Sequence, residues 1–205
     1  MIKLYLIRHG ETAWNKEHRW QGWTDIELSE EGIKQAELLG ERFKNFQIDE
    51  IYSSPLKRAY ETARPAAEKM GLEIVKMDNF KEINFGYWEG KDSKELTAEY
   101  GEEFTKFMSD PENMPFPGDG SFANVEKRVM EGINKILEGK NGKSIAVVSH
   151  GGIVRIIIKA LLGIEGEWFN KTWIDNTSIS LIEIHKNYNL LRVLNDFSHL
   201  KNGIF

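Results

Sequence analysis

Arginine and histidine recur at three separated places in this sequence, in a pattern suited to binding and transferring an anion. Arg8-His9-Gly10 closes a short apolar run, Arg58 follows Ile51-Tyr52-Ser53, and His150-Gly151-Gly152 follows Ser144-Ile145-Ala146-Val147-Val148. An arginine fork pairs with two phosphate oxygens through parallel charge-assisted bonds, which the point charge of lysine cannot copy. At roughly 4 Å and an effective dielectric near 20, each unit charge pair is worth on the order of 4 kcal/mol before desolvation. Two arginines and two histidines therefore suffice to hold a dianionic phosphate. Positioning and electrostatics are most of what phosphoryl transfer asks of a protein.

These residues can meet only if the segments before them end at one place. Residues 2–7, 50–53, 73–76 and 144–148 are short β-branched or aromatic runs that read as strands. Residues 178–185 and 190–196 flank a polar 186–189 turn and predict a hairpin. Helical spacing puts Ile33, Ala36, Leu39, Phe43 and Phe46 on one face of 29–46. The same spacing puts Phe122, Val125, Val129, Ile133 and Ile136 on one face of 121–137. Ser54-Pro55 predicts an N-cap followed by a first-turn proline, opening a helix towards Met70 that Pro65 should kink. Arg58 then falls one turn into that helix. Residues 110–120, with Pro111, Pro115, Pro117, Gly118 and Gly120, predict a surface loop.

Strands alternating with helices imply an α/β fold. We expect a single three-layer domain over residues 1–205, with a mostly parallel sheet, helices on both faces and a C-terminal antiparallel hairpin. In such sheets ligands bind beyond the carboxyl ends of the strands, where helix N-termini offer unpaired N–H groups to an anion.

The 205 residues are 40% hydrophobic and 29% charged, ordinary proportions for one soluble domain. A formal charge of −5 argues against broad nucleic-acid binding, although a local cationic cluster can still serve a small anion. With no cysteine, disulfides, zinc-thiolate sites and cysteine-nucleophile mechanisms drop out. The apolar start is too short for a signal peptide. The run 153–162 is broken by Arg155 and Lys159 and falls short of the roughly 20 residues that cross a bilayer. We therefore expect a cytoplasmic chain with no nucleic-acid or membrane partner. No spacing suits a metal, and neither metal nor cofactor is expected.

Further motifs surround the three basic positions. Leu6-Ile7-Arg8-His9-Gly10-Glu11-Thr12 is followed by Asn15, Gln21-Gly22, Asp25, Leu28-Ser29, Gly32 and Gln35-Ala36. Ser53-Ser54-Pro55-Leu56-Lys57-Arg58-Ala59, Glu82 with Phe85-Gly86, Ser149-His150-Gly151, Asn195-Asp196 and His199-Leu200 come next. Together they resemble the signature of the histidine phosphatase superfamily, the fold of cofactor-dependent phosphoglycerate mutases and their phosphatase relatives, over almost the whole chain. The resemblance implies that His9 is the nucleophile, attacking phosphorus in line to form a phosphohistidine. It implies that Arg8, Arg58 and His150 clamp the phosphoryl oxygens in the transition state. Asn15 and Gln21 would bind substrate, and the backbone at Gly22 and Gly151 would approach an oxygen. Glu82 would protonate the leaving oxygen and later take a proton from water.

The 82–150 stretch lacks the long insertion, with paired arginines, of the mutase branch. It resembles the compact phosphatase branch, which implies hydrolysis of a small phosphate ester, with mutase as the alternative. Asp119-Gly120 stands where that branch carries Gly-Glu, in a loop expected to cover the site. Trp20, Trp23, Phe85, Tyr87, Trp88 and Phe116 either wall a leaving-group pocket or pack in the core. Glu89 and Glu95 compete with Glu82 as acids, whereas His18, His185 and His199 read as structural or exposed. A non-catalytic phosphate-binding module would normally lack one of these groups. Ser149 misses the first glycine of a nucleophile elbow.

Overall fold

Successive side chains of the first strand, β1 (Ile2–Arg8), enter opposite sides of a sheet. Leu4 and Leu6 join Ile145 and Val147 in one core, while Tyr5 and Ile7 join Ala146 and Val148 in another. This period-two alternation with both faces buried marks a strand covered by helices on either side. The structure is a computed structural model and describes residues 1–200.

After β1 come a one-turn helix α1 (Ala13–Lys16), then α2 (Glu30–Phe43), β2 (Glu50–Ser53), α3 (Lys57–Met70) and β3 (Ile74–Lys76). The second half holds α4 (Ser93–Ser109), α5 (Phe122–Leu137), β4 (Ser144–Ser149), α6 (Gly151–Leu162), β5 (Ile179–Ile184) and β6 (Asn189–Asp196). The six strands lie in the order β3-β2-β4-β1-β5-β6. The first four run parallel, and β5 pairs antiparallel with both β1 and β6. The expected α/β architecture, mostly parallel with a C-terminal antiparallel hairpin, is the observed one.

Helices α5 and α6 cover one face through Val125, Val129, Ile133, Ile153 and Ile157, and α2 and α3 cover the other through Leu39, Phe43, Ala59 and Ala63. Each fully buried Leu, Ile or Phe contributes about 1.5–3 kcal/mol of transfer free energy. Alanine-rich α3 sits close to α2: a Cβ on Gly40 would lie 3.0 Å from Pro65.

Several expectations need correction. Helix α3 begins at Lys57 with Leu56 at its N-cap, so Ser54 does not cap it and Arg58 sits in the first turn. The helix does run to Met70 as expected, with Pro65 inside it. Ile33 is 54% exposed, because α2 turns Gly32, Gln35, Ala36 and Leu39 inward instead. Phe46 lies beyond the end of α2, packed at the edge of the core. Helix α4 had no counterpart in the sequence reading; Asp92 and Glu95 cap it, and its helical dihedrals break at Gly101. Among the described residues no helix is long and apolar enough to cross a membrane.

Candidate active site

Parallel register sets Arg8 opposite Ser149 and Ser53 opposite Val148. Strands β1, β2 and β4 therefore end level and deliver His9, Ser54 and His150 to one edge. His9 is pinned by its backbone: its N–H donates to the Ser149 carbonyl at 2.9 Å, and its own carbonyl accepts from Asn176 Nδ2 at 2.9 Å. Its Nδ1 lies 2.7 Å from the Gly10 carbonyl. A carbonyl only accepts, so Nδ1 carries the proton and Nε2 keeps its lone pair. Burial, then Arg58 and Arg8, push the ring well below its ordinary pKa of 6.5, against the pull of the Gly10 bond. The imidazole is neutral at pH 7.

Gly10 has no room for a side chain, since a Cβ would lie 2.7 Å from the Gly32 carbonyl oxygen. Its N–H donates to Thr62 Oγ1 at 2.8 Å, and that hydroxyl donates to the Arg58 carbonyl at 2.6 Å. One threonine thus ties the His9 loop to α3.

Arg58 is fully buried, with Nη1 donating to the Thr24 carbonyl at 2.9 Å and Nη2 to the Gly22 carbonyl at 2.7 Å. The turn that presents the Gly22 carbonyl holds Gly22 at φ +52°, which favours glycine. Arg8 Nη1 donates to the Ile174 carbonyl at 2.6 Å, and its guanidinium sits 5.6 Å from the Trp173 ring centroid. Gly151 leaves space beside it: a Cβ there would meet Arg8 Cδ and Nε at 3.4 Å. Burial lowers both arginines, Arg58 to about 10, and Glu82 opposes the shift in each. Both stay charged at pH 7.

The fully buried His150 ring stands edge-on to His9, centroids 5.1 Å apart. Its Nε2 is 2.8 Å from Ser54 Oγ, which also accepts the Leu56 N–H at 3.3 Å. Where the Ser54 hydroxyl donates to Nε2, the ring proton sits on Nδ1. Burial, then Arg58, His9 and Arg8, hold this ring neutral too, well below 6.5. Arg8 Nε, Arg58 Nε and His150 Nδ1 are buried and have no partner among the described residues. Buried donors left open in this way mark a place for an acceptor.

A cavity of about 210 Å³ opens here. Arg8, His9, Asn15, Gln21, Gly22, Arg58, Glu82 and Gly151 all line it; His150, fully buried beside His9, is not among the lining residues. Residues 4–197 match the histidine phosphatase superfamily (branch 1). The chain belongs to that superfamily. Phosphoserine phosphatase 1 of Hydrogenobacter thermophilus is 38% identical over 200 residues, covering 98% of this chain and 95% of the relative. Bacillus stearothermophilus YhfR superposes with a TM-score of 0.90 at 31% identity, covering 97% of this chain and 99% of that one. Phosphoserine phosphatase from Entamoeba histolytica, solved in complex with 3-phosphoglyceric acid, gives a TM-score of 0.88 at 36% identity over 98% of this chain and all (100%) of that one.

In this histidine phosphatase the remaining wall draws on connecting segments as well as α1 and α6. Glu82 Oε1 accepts the Ile83 N–H at 3.0 Å and Oε2 the Gly152 N–H at 3.4 Å. A Cβ on Gly152 would come within 2.6 Å of Oε1, so glycine is what admits the carboxylate. The competing acids are committed elsewhere. Glu89 accepts from the backbone of Trp23, Thr24 and Phe85 at 2.8–3.1 Å. Glu95 pairs with Arg19 at 2.8 Å and caps α4. Asn15 Oδ1 accepts the Thr12 N–H and hydroxyl, both at 3.1 Å, which turns its amide NH2 to the cavity. Gln21 Oε1 is buried without a partner among the described residues.

Of the six aromatics, Trp20 and Phe85 line the cavity, edge to face at 4.7 Å. Trp88 and Phe116 are core, Tyr87 is 53% exposed, and Trp23 donates its indole N–H to the Glu82 carbonyl at 2.7 Å. Ser149 is fully buried and donates to the Phe80 carbonyl at 2.8 Å, which leaves it no nucleophile's role. His199 pairs with Thr177 Oγ1 at 3.1 Å, and burial takes it down to about 4.

Sequence reasoning missed Arg19, Arg155 and the 169–174 segment as lining groups. Arg155 donates to the Gly151 carbonyl at 3.2 Å and the Phe169 carbonyl at 2.8 Å, and burial lowers it to about 10. A signal existed. Arg155 interrupts an apolar helix four residues after Gly151, hence on the same face.

Proposed function

We propose that this domain is a cytoplasmic phosphomonoesterase that moves the phosphoryl group of a small organic ester onto His9 and then onto water. One observation carries the reading: a neutral imidazole with a bare Nε2 shares its site with the buried Nε–H groups of Arg8 and Arg58 and the buried Nδ1 of His150, none of which has a partner among the described residues. Nε2 attacks phosphorus as the bond to the alcohol oxygen breaks. Arg8, Arg58 and His150 Nδ1–H receive the equatorial oxygens, whose charge rises in the transition state. Glu82 protonates the leaving oxygen, then accepts a proton from the water that breaks the N–P bond. Inorganic phosphate leaves and His9 returns neutral.

Asn15 and Gln21 reach the substrate, and Trp20 and Phe85 flank its organic part. The cavity volume suits a metabolite-sized ester. The Hydrogenobacter and Entamoeba relatives named above support a phosphorylated hydroxy or amino acid. Guanidinium groups supply the positive charge in this reading, with no metal or cofactor. Among the described residues no cluster of three or more His, Asp or Glu is placed to hold a metal ion.

Rapid quenching with ³²P-phosphoserine tests the proposal. It should trap an acid-labile, base-stable phosphoprotein that His9→Ala cannot form. Label on serine or aspartate, or turnover by His9→Ala at the parent rate, would sink it. Phosphate release should also survive a strong chelator. With 3-phosphoglycerate and its bisphosphate, phosphate should appear faster than the 2-isomer; the reverse order makes the chain a mutase.

A further inference from the structure

Arg128 projects from α5 towards the segment that carries Glu82, and it is not among the residues lining the cavity. Its Nη1 donates to the carbonyls of Asn79 at 2.9 Å and Lys81 at 2.8 Å. Its Nη2 donates to the Glu82 carbonyl at 3.1 Å and the Asp119 carboxylate at 3.2 Å. Asn79 returns a bond from Nδ2 to the Arg128 carbonyl at 2.9 Å. One turn further along α5, Gly132 permits this approach, because a Cβ there would lie 2.5 Å from Asn79 Cβ. The Glu82 carbonyl has a second donor in Trp23 Nε1, whose indole lies 5.7 Å from the Arg128 guanidinium. Asp119 completes the frame by accepting the Asn84 N–H at 2.8 Å.

A general acid works only within hydrogen-bond reach of its oxygen, and a displacement of about 1 Å can cost about a hundredfold in rate. Among the described residues the Glu82 carboxylate has only two backbone N–H contacts of its own, the longer at 3.4 Å. Its place is therefore set mainly by its backbone. We propose that Arg128, braced by Trp23 and Asp119, is the positioning residue that holds Glu82 at the leaving oxygen. The Asp119-Gly120 departure then has a use: Asp119 locks the loop to Arg128. This inference rests on the reading of Glu82 as the acid/base.

The test compares phosphoserine, whose alkoxide needs a proton, with 2,4-dinitrophenyl phosphate, whose leaving group does not. Glu82→Gln should lose kcat/KM on phosphoserine and keep most of it on the activated ester, because kcat/KM ends at departure of the leaving group, before water needs the Glu82 carboxylate as base. Arg128→Met should copy that selectivity, losing about tenfold to a hundredfold on phosphoserine and less than about threefold on the activated ester. In a Glu82→Gln background, Arg128→Met should cost nothing further. Arg128→Lys, which cannot fork across several carbonyls, should not rescue, and Trp23→Phe should show a smaller loss of the same kind. Should Arg128→Met fail to fold, Arg128→Lys and Trp23→Phe carry the same comparison. Equal losses on both esters, or a further loss without the Glu82 carboxylate, would overturn the positioning role. An absence of leaving-group dependence in Glu82→Gln itself would overturn the acid/base reading instead.

Discussion

The two ends of the cavity are built by different means. At the end proposed to take the phosphate, His9 and His150 stand one residue beyond β1 and β4, whose register fixes them relative to each other. At the end proposed to take the leaving group, Glu82, Trp20 and Phe85 line the wall from connecting segments. Those segments are held by side chains reaching across the fold to backbone carbonyls, as Arg128 and Trp23 do to Glu82. Strand ends give rigidity through the sheet ladder. Loops gain it only through contacts distant in sequence. In the proposed mechanism, chemistry common to all phosphate esters sits on the first construction, and contact with the variable organic part falls to the second.

The largest expected effect strikes the phosphate end. Arg58→Met should lower kcat/KM by about a thousandfold, equally for activated and unactivated esters. Arg58→Lys should recover little, because lysine cannot serve the phosphate and the Thr24 and Gly22 carbonyls together. A loss confined to poor leaving groups would break the division of labour.

Acid comes next. His9 and His150 are neutral in the folded chain, well below 6.5, and His199 is at about 4. Below their ordinary value the unfolded chain binds protons that the native state does not. Stability is thus full above pH 6.5 and declines as pH falls towards the depressed values. The slope is about 1.4 kcal/mol per pH unit for each fully buried histidine. Urea midpoints at about pH 7.5 and about pH 5.5 measure it, and equal stabilities would contradict the neutral rings.

Ser54→Ala is smaller. Freeing His150 Nε2 should cost about tenfold in kcat, the worth of one buried hydrogen bond. An unchanged kcat would mean that the tautomer is set some other way. The smallest effect is expected at Ile33→Glu, which should stay within about 0.5 kcal/mol of the parent in thermal unfolding because that side chain faces water. A larger loss would restore Ile33 to the core.

Ile33 and Ser54 also show where sequence reading stops. Helical spacing places Ile33 among apolar neighbours, yet a Cβ at Gly32 would lie 2.0 Å from the Glu11 carbonyl oxygen. That backbone approach, with Gln35 accepting the Glu11 N–H at 2.9 Å, orients α2 and leaves Ile33 outside. Ser54 precedes a proline and reads as a cap; its partner is His150, 96 residues away. By contrast Val125, Val129, Ile133 and Ile136 lie where their spacing put them, because burial of a helix stripe is decided by local periodicity. The trio of His9, Arg58 and His150 was legible because strand runs ending in basic residues leave a local trace.

The amino-acid order alone determined the α/β class, the strands and the basic residues at their ends, since each depends on a period of two or 3.6 that neighbouring residues display. Only the folded chain decided that Nδ1 of His9 carries the proton, that Glu82 rather than Glu89 or Glu95 faces the cavity, and that Arg128 frames it. Those outcomes turn on distances between residues far apart in the chain, and no local pattern encodes a distance.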